Sequence, residues 1–135
     1  MKLHPYLIFN GQAQKALDFY SSALGLEQSE VNTYENSPVP HSTEQKNWIM
    51  HAALNWKEET LVMLSDSPEN KLEKNPNIHL SLNYSDVEEM KIAFDRLSQG
   101  GKITMPLEKQ FWNATFGQLI DQFGIHWMMN CDHTQ

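Results

Sequence analysis

Two of the six histidines in this 135-residue chain have surroundings that could support chemistry. His51 sits in "WIMHAALNW", beside Ala52 and Ala53, which leave space around an imidazole. There it could anchor a ligand or act as a general base. The same sequence fits a half-buried histidine of a β core, bonded to a neighbour. His79 opens "IHLSLN" and, by strand alternation, shares a face with Ser81 and Asn83. That is a polar groove lining or the solvent side of an edge strand. His126 shares its face with Met128 and Asn130 and reads as an exposed strand residue, and His41 falls in a Pro/Ser loop. Asp66 and Asp121 end the runs "VMLSD" and "QLID". An aspartate at such a point caps a turn through nearby backbone N–H groups more readily than it acts as a base.

The stretch "FWNATFGQLIDQFGIHWMMN" (111–130) concentrates the aromatic residues. In its last strand Ile125, Trp127 and Met129 alternate onto one face and His126, Met128 and Asn130 onto the other, so Trp127 reads as packing. Phe111 and Trp112 could stack on a flat ligand or anchor a dimer. Cys131, the single cysteine, excludes an internal disulfide, fits a reducing compartment and reads as a small buried hydrophobe.

The elements that must position these residues follow from periodicity. "HPYLIFNG" (4–11) is a short β run. "QAQKALDFYSSALG" places Ala13, Leu17, Tyr20 and Leu24 on one helical face, with Gly25 as the stop. "LEQSEVNTYE" (26–35) is strand-like, and residues 36–47 carry two prolines and read as a loop. Strands 48–56 and 59–66 meet across a tight Lys57-Glu58 turn. After a polar linker at 67–77, "IHLSLNY" alternates as a strand. "SDVEEMKIAFDRLSQGG" is a helix with a Ser85/Glu88 capping box, a buried stripe of Val87, Met90, Phe94 and Leu97, and a Gly100-Gly101 stop. Strands at 102–110, 114–121 and 125–131 complete the chain.

The order β, α, β, β, β thus occurs twice, and one offset lays "LIFN" on "LSLN", Leu17 on Met90 and Leu24 on Leu97. Each half is too small for its own core. The expectation is an α+β fold of two paired βαβββ modules, whose curved sheets enclose a concave groove. Module 1 spans about 3–66 and module 2 about 78–131 of a single domain, 1–135.

Composition narrows the function. A formal charge of −7 without any Lys/Arg cluster disfavours nucleic acid. No apolar run approaches the ~20 residues of a membrane span, and the N-terminus lacks the apolar core of a signal peptide. A cytoplasmic protein is expected.

The motifs "PYLIFNG", "NGQAQKALDFYSSALGLE", "IMHAALNW", "MLSD", "GGKITMPL" and "FWNATFGQLIDQFGIHWMMN" together resemble the glyoxalase/bleomycin resistance/dioxygenase (vicinal oxygen chelate) superfamily, and within it the PhnB-like branch. That branch often carries a 3-demethylubiquinone methyltransferase label. The resemblance covers roughly residues 3 to 131 and implies the paired βαβββ fold. The label finds no support, because neither the Gly-rich turn nor the long parallel sheet of the usual S-adenosylmethionine fold is visible.

Metal-dependent relatives place four ligands in the groove, and the resemblance lays those positions on Pro5, His51, His79 and Met128. Proline cannot coordinate, and zinc, nickel or iron sites normally take three protein ligands with an open position. Substituting His4 for Pro5 would put the ligand on the opposite strand face. Two readings follow. In the first, the chain binds a small, flat or amphipathic molecule in the groove without a complete metal site or certain cofactor. His51, His79, Phe111, Trp112 and Met128 would line that groove, since the 111–112 segment lines or lids the pocket in the superfamily. In the alternative, it is a divalent-metal-dependent lyase, isomerase or dioxygenase using His51 and His79 as ligands. Metal-free catalysis with His51 as general base is a third route. The resemblance also implies a homodimer.

Overall fold

The computed structural model describes residues 1–69 and 77–133. The chain divides into two compact units, Met1–Lys74 and Asn75–Gln135. Most of the expected linker, residues 70–76, lies outside the described residues.

The first unit contains β1 (Tyr6–Phe9), α1 (Ala13–Leu24), β2 (Glu27–Thr33), β3 (Ile49–Trp56) and β4 (Glu59–Asp66), with a single 3₁₀ turn at Thr43–Gln45 inside the 36–47 loop. The four strands form one sheet in the order β1-β4-β3-β2. β1 runs parallel to β4, and the other pairings are antiparallel. One row of the sheet is Leu7, Leu64 and Ala52, and the next is Tyr6, Met63 and Ala53. Leu64, Ala52, Val62, Leu54 and Phe9, which alternate onto one face, are buried. The helix α1 packs against β2, β3 and β4 and buries Ala13, Ala16, Leu17, Tyr20 and Ala23. Ala16 and Ala23 join this buried face, and Leu24, expected on it, is only half-buried at the last position of the helix. Gly25 ends the helix in the left-handed region at φ 67°, its N–H bonding to Ser21 O. Lys57 and Glu58 take φ 47° and 70°, the left-handed pair that a two-residue hairpin turn requires.

The second unit repeats this connectivity: β5 (Leu80–Tyr84), α2 (Val87–Leu97), β6 (Lys102–Gln110), β7 (Ala114–Ile120) and β8 (His126–Asp132), in the order β5-β8-β7-β6. Again the first strand is parallel to the last and the rest are antiparallel. Leu119, Trp127, Met129 and Cys131 are buried, as are Met90, Ala93, Phe94 and Leu97 of α2, which packs on β5 and β8. The fold is the glyoxalase-type α+β arrangement. The cap of α2 differs from the expected Ser85/Glu88 box. Asp86 is the N-cap, its carboxylate accepting from the N–H groups of Glu88 and Glu89 at 2.9 and 3.3 Å. A charged acceptor one residue later serves the exposed donors better than the Ser85 hydroxyl.

Each unit is pinned by one buried aspartate. Asp66, 2% exposed, accepts from Gly11 N (2.8 Å) and Ala13 N (2.9 Å) on Oδ1 and from Ile49 N (3.0 Å) on Oδ2. It therefore caps α1, whose own N-cap Gln12 makes no side-chain bond. Asp121, 3% exposed, accepts from Phe123 N and Ile125 N on Oδ1 and from the Trp127 indole on Oδ2 at 2.9 Å. That closes the DQFG turn, with Gly124 at φ 85°. Both carboxylates are structural.

Candidate ligand site

In each unit one sheet face is covered by its helix, and the candidate residues lie on the other. In the first unit the open face carries Tyr6, Ile8, Met63, Ser65 and His51, since Ala53 stands in the Tyr6–Met63 row and His51 is two residues from it. Tyr6 and Ile8 are 43% and 53% exposed. The register therefore puts Tyr6, not Pro5, on the His51 face. Pro5 precedes the strand and contributes its carbonyl to the N–H of Met63. His4 lies two residues before the strand, outside its alternation.

His51 is held on both sides. The Tyr6 hydroxyl lies 3.0 Å from Nδ1, and a Glu30 carboxylate oxygen lies 3.4 Å from Nε2. Glu30 reaches it from β2, where the pairing with β3 is irregular between Ser29 and Asn32 and Glu30 itself takes φ 54°. That left-handed conformation is uncommon for a non-glycine residue. The Asn32 side chain bonds the Glu30 carbonyl at 3.1 Å and steadies the bulge. Neither Tyr6 nor Glu30 stood out in the sequence. Tyr6 emerges only from the parallel register with β4, and Glu30 only from a bulge hidden in a strand that is polar apart from Val31.

The Tyr34 hydroxyl donates to the Asp66 carbonyl at 2.7 Å. Burial, then the Asp66 carboxylate, then Tyr6 push its pKa above the ordinary phenol value. Tyr84 is raised likewise, by burial and then by Glu89.

The open face of the second unit carries His79, Ser81, Asn83, His126, Met128, Asn130, Phe116 and Gln118, from the register of β5, β8 and β7. His79 and His126 approach to 4.9 Å between ring centroids, so His126 is a half-buried partner rather than an exposed strand residue. Phe111 is 96% exposed and stands edge-on to Trp112 at 5.0 Å. Trp112 stands edge-on to Phe116 at 5.6 Å and donates its indole N–H to Asn130 Oδ1 at 3.2 Å. These contacts fix the indole at the edge of the face that carries Met128. His41 bonds Val39 O within its own loop and lies 5.8 Å, ring to ring, from Tyr34.

The arrangement has recognisable relatives. A protein-family model for the glyoxalase/bleomycin resistance protein/dioxygenase superfamily matches residues 2–129. The chain belongs to that superfamily. Among its members it is similar to Protein YjdN of Escherichia coli (strain K12), 31% identical over 96% of this chain and 95% of that one. It also resembles the crystal structure of protein PA1353 from Pseudomonas aeruginosa, with a TM-score of 0.88, 36% identity and 99% of each chain covered. A PhnB protein from Bacillus cereus, provisionally designated a 3-demethylubiquinone-9 3-methyltransferase, matches with a TM-score of 0.81, 27% identity and coverage of 97% and 99%. Each sheet here contains one parallel pairing among antiparallel ones, which is the superfamily's arrangement and not a doubly wound parallel sheet.

Metal-dependent members of the superfamily hold a divalent ion, and the residues at the corresponding positions here do not fit one. Among the described residues no group of three or more His, Cys, Asp or Glu side chains could hold an ion. Both ring nitrogens of His51 face protein partners, and the thioether of Met128 is a poor donor to a hard or borderline cation.

Proposed function

We propose that the chain is a small-molecule-binding protein whose ligand, a flat or amphipathic compound, is recognised by residues drawn from His51, His79, Phe111, Trp112 and Met128. One observation carries this reading: the face opposite each helix bears half-exposed polar and aromatic side chains held in place by defined contacts, Tyr6 with His51 and Trp112 with Asn130 and Phe116. Trp112 supports it most directly, since its indole is oriented by Asn130 with its ring edge-on to Phe116. An aromatic fixed in this way gives up little further entropy on stacking. Superfamily membership is consistent with a small ligand.

The organisation that goes with this reading is a single domain of two modules, a homodimer and a cytoplasmic location. Among the described residues no helix is long and apolar enough to cross a membrane. The test is a screen of planar aromatic and amphipathic compounds, followed by tryptophan fluorescence and calorimetry, on the native chain and Trp112→Leu. Micromolar binding that weakens at least tenfold in the variant supports the proposal. Failure of every flat compound to bind, or unchanged affinity in Trp112→Leu, overturns it.

A further inference from the structure

Tyr6, His51 and Glu30 form a chain of hydrogen bonds whose direction is fixed by elimination. A carboxylate can only accept, so in the neutral ring the single N–H of His51 must be on Nε2, facing Glu30. Nδ1 is then a bare acceptor, and the 3.0 Å contact with Tyr6 requires the phenol to donate its proton to the ring. What Tyr6 presents outward is therefore a phenolic oxygen with its O–H already committed, an acceptor and not a donor. Hydrogen bonds in series polarise one another, so the Glu30 carboxylate makes that oxygen a stronger acceptor than a free tyrosine.

The surroundings identify the ligand group that fits. Tyr6 is 43% exposed, with the exposed Ile8 beyond it and Met63 beside it in the sheet row, so a polar acceptor projects from an apolar patch. The left-handed φ of Glu30 is the kind of local strain that persists where a side chain has to be aimed. We propose that this trio is a specificity element, with Tyr6 Oη accepting a hydrogen bond from an O–H or N–H donor on an otherwise apolar ligand, and His51 and Glu30 acting as positioning residues. The proposal rests on the small-molecule-binding reading and adds the polarity of the group recognised.

The probes are 2-naphthol and 2-methoxynaphthalene, alike in ring and differing in the donor. Their dissociation constants are measured on the full chain at about pH 8.5, where a free imidazole is neutral. The native chain is expected to prefer 2-naphthol by about three- to tenfold, and Tyr6→Phe to bring the ratio to about one. In Glu30→Gln, whose amide can donate to Nε2, the ratio should fall as well. A readout independent of ligand comes from ¹⁵N-resolved NMR of the His51 ring, expected to show the Nε2–H tautomer in the native chain and loss of that preference in Glu30→Gln. An Nδ1–H tautomer, a ratio near one in the native chain, or a ratio that survives Tyr6→Phe overturns the proposal. If both probes bind and the tautomer is wrong, the specificity element fails and ligand binding stands. If neither probe binds, the preference for a donor fails, while the reading beneath it falls only if the wider screen of flat compounds fails as well.

Discussion

Replacing Asp66 with alanine removes the acceptor of three backbone N–H groups at once. Two of them, Ala13 N and Ile49 N, belong to buried bonds, and the third, Gly11 N, lies in a part-buried loop that water can reach. A buried donor left without a partner costs about 1–3 kcal/mol. The two buried groups alone therefore set a loss of roughly 2–6 kcal/mol, partly offset because an expensively desolvated carboxylate is also removed. A net destabilisation of about 3 kcal/mol is expected, measured by urea unfolding followed through tryptophan fluorescence with an unchanged m-value. Asp66→Asn should fall between the two, since its amide oxygen still accepts while its NH₂ faces one of the donors. A loss below about 1 kcal/mol in Asp66→Ala would refute the reasoning that this carboxylate holds β4, the β1–α1 loop and β3 together.

In the second unit, Trp127→Phe deletes the indole bond to Asp121 while keeping most of the packing, and should cost about 1–2 kcal/mol in the same unfolding assay. Gly101→Ala should be worse than a surface substitution, by more than about 2 kcal/mol, because the new Cβ would collide with the Ile120 carbonyl, a backbone atom that cannot swing aside. The raised pKa of Tyr34 has a definite sign: its stabilisation is complete below the ordinary phenol value near 10 and is lost as pH rises through the higher folded-state value. Alkaline unfolding curves should show that loss in the native chain and a smaller one in Tyr34→Phe, and equal slopes would contradict it.

The architecture was readable because its signals are local and periodic. The α1 face, the Lys57-Glu58 turn and the alternation of β8 each follow from a dozen residues or fewer, and the bounds of β4 and β6 agree with the sequence. What escaped depends on pairing across the chain. The displacement of Pro5 by Tyr6 is one residue of register, and a one-residue slip moves a whole strand to the other face. Glu30 reaches His51 only through a bulge in "EQSEVNT", which has no glycine or proline to mark it. Asp66 looked like an ordinary turn cap, yet it caps a helix 53 residues away. The pairing of His79 with His126 likewise needed the parallel register of β5 and β8.

The central claim is that this superfamily member holds a ligand without a complete metal centre, and metal stoichiometry tests it most directly. Elemental analysis of the purified chain, with calorimetric titration of Ni²⁺ and Zn²⁺ into the native protein and a His51→Ala/His79→Ala double variant, is the measurement. The expected result is well under one equivalent of metal per chain and no difference between the two proteins. One tightly held equivalent per chain, lost in the double variant, would contradict the claim.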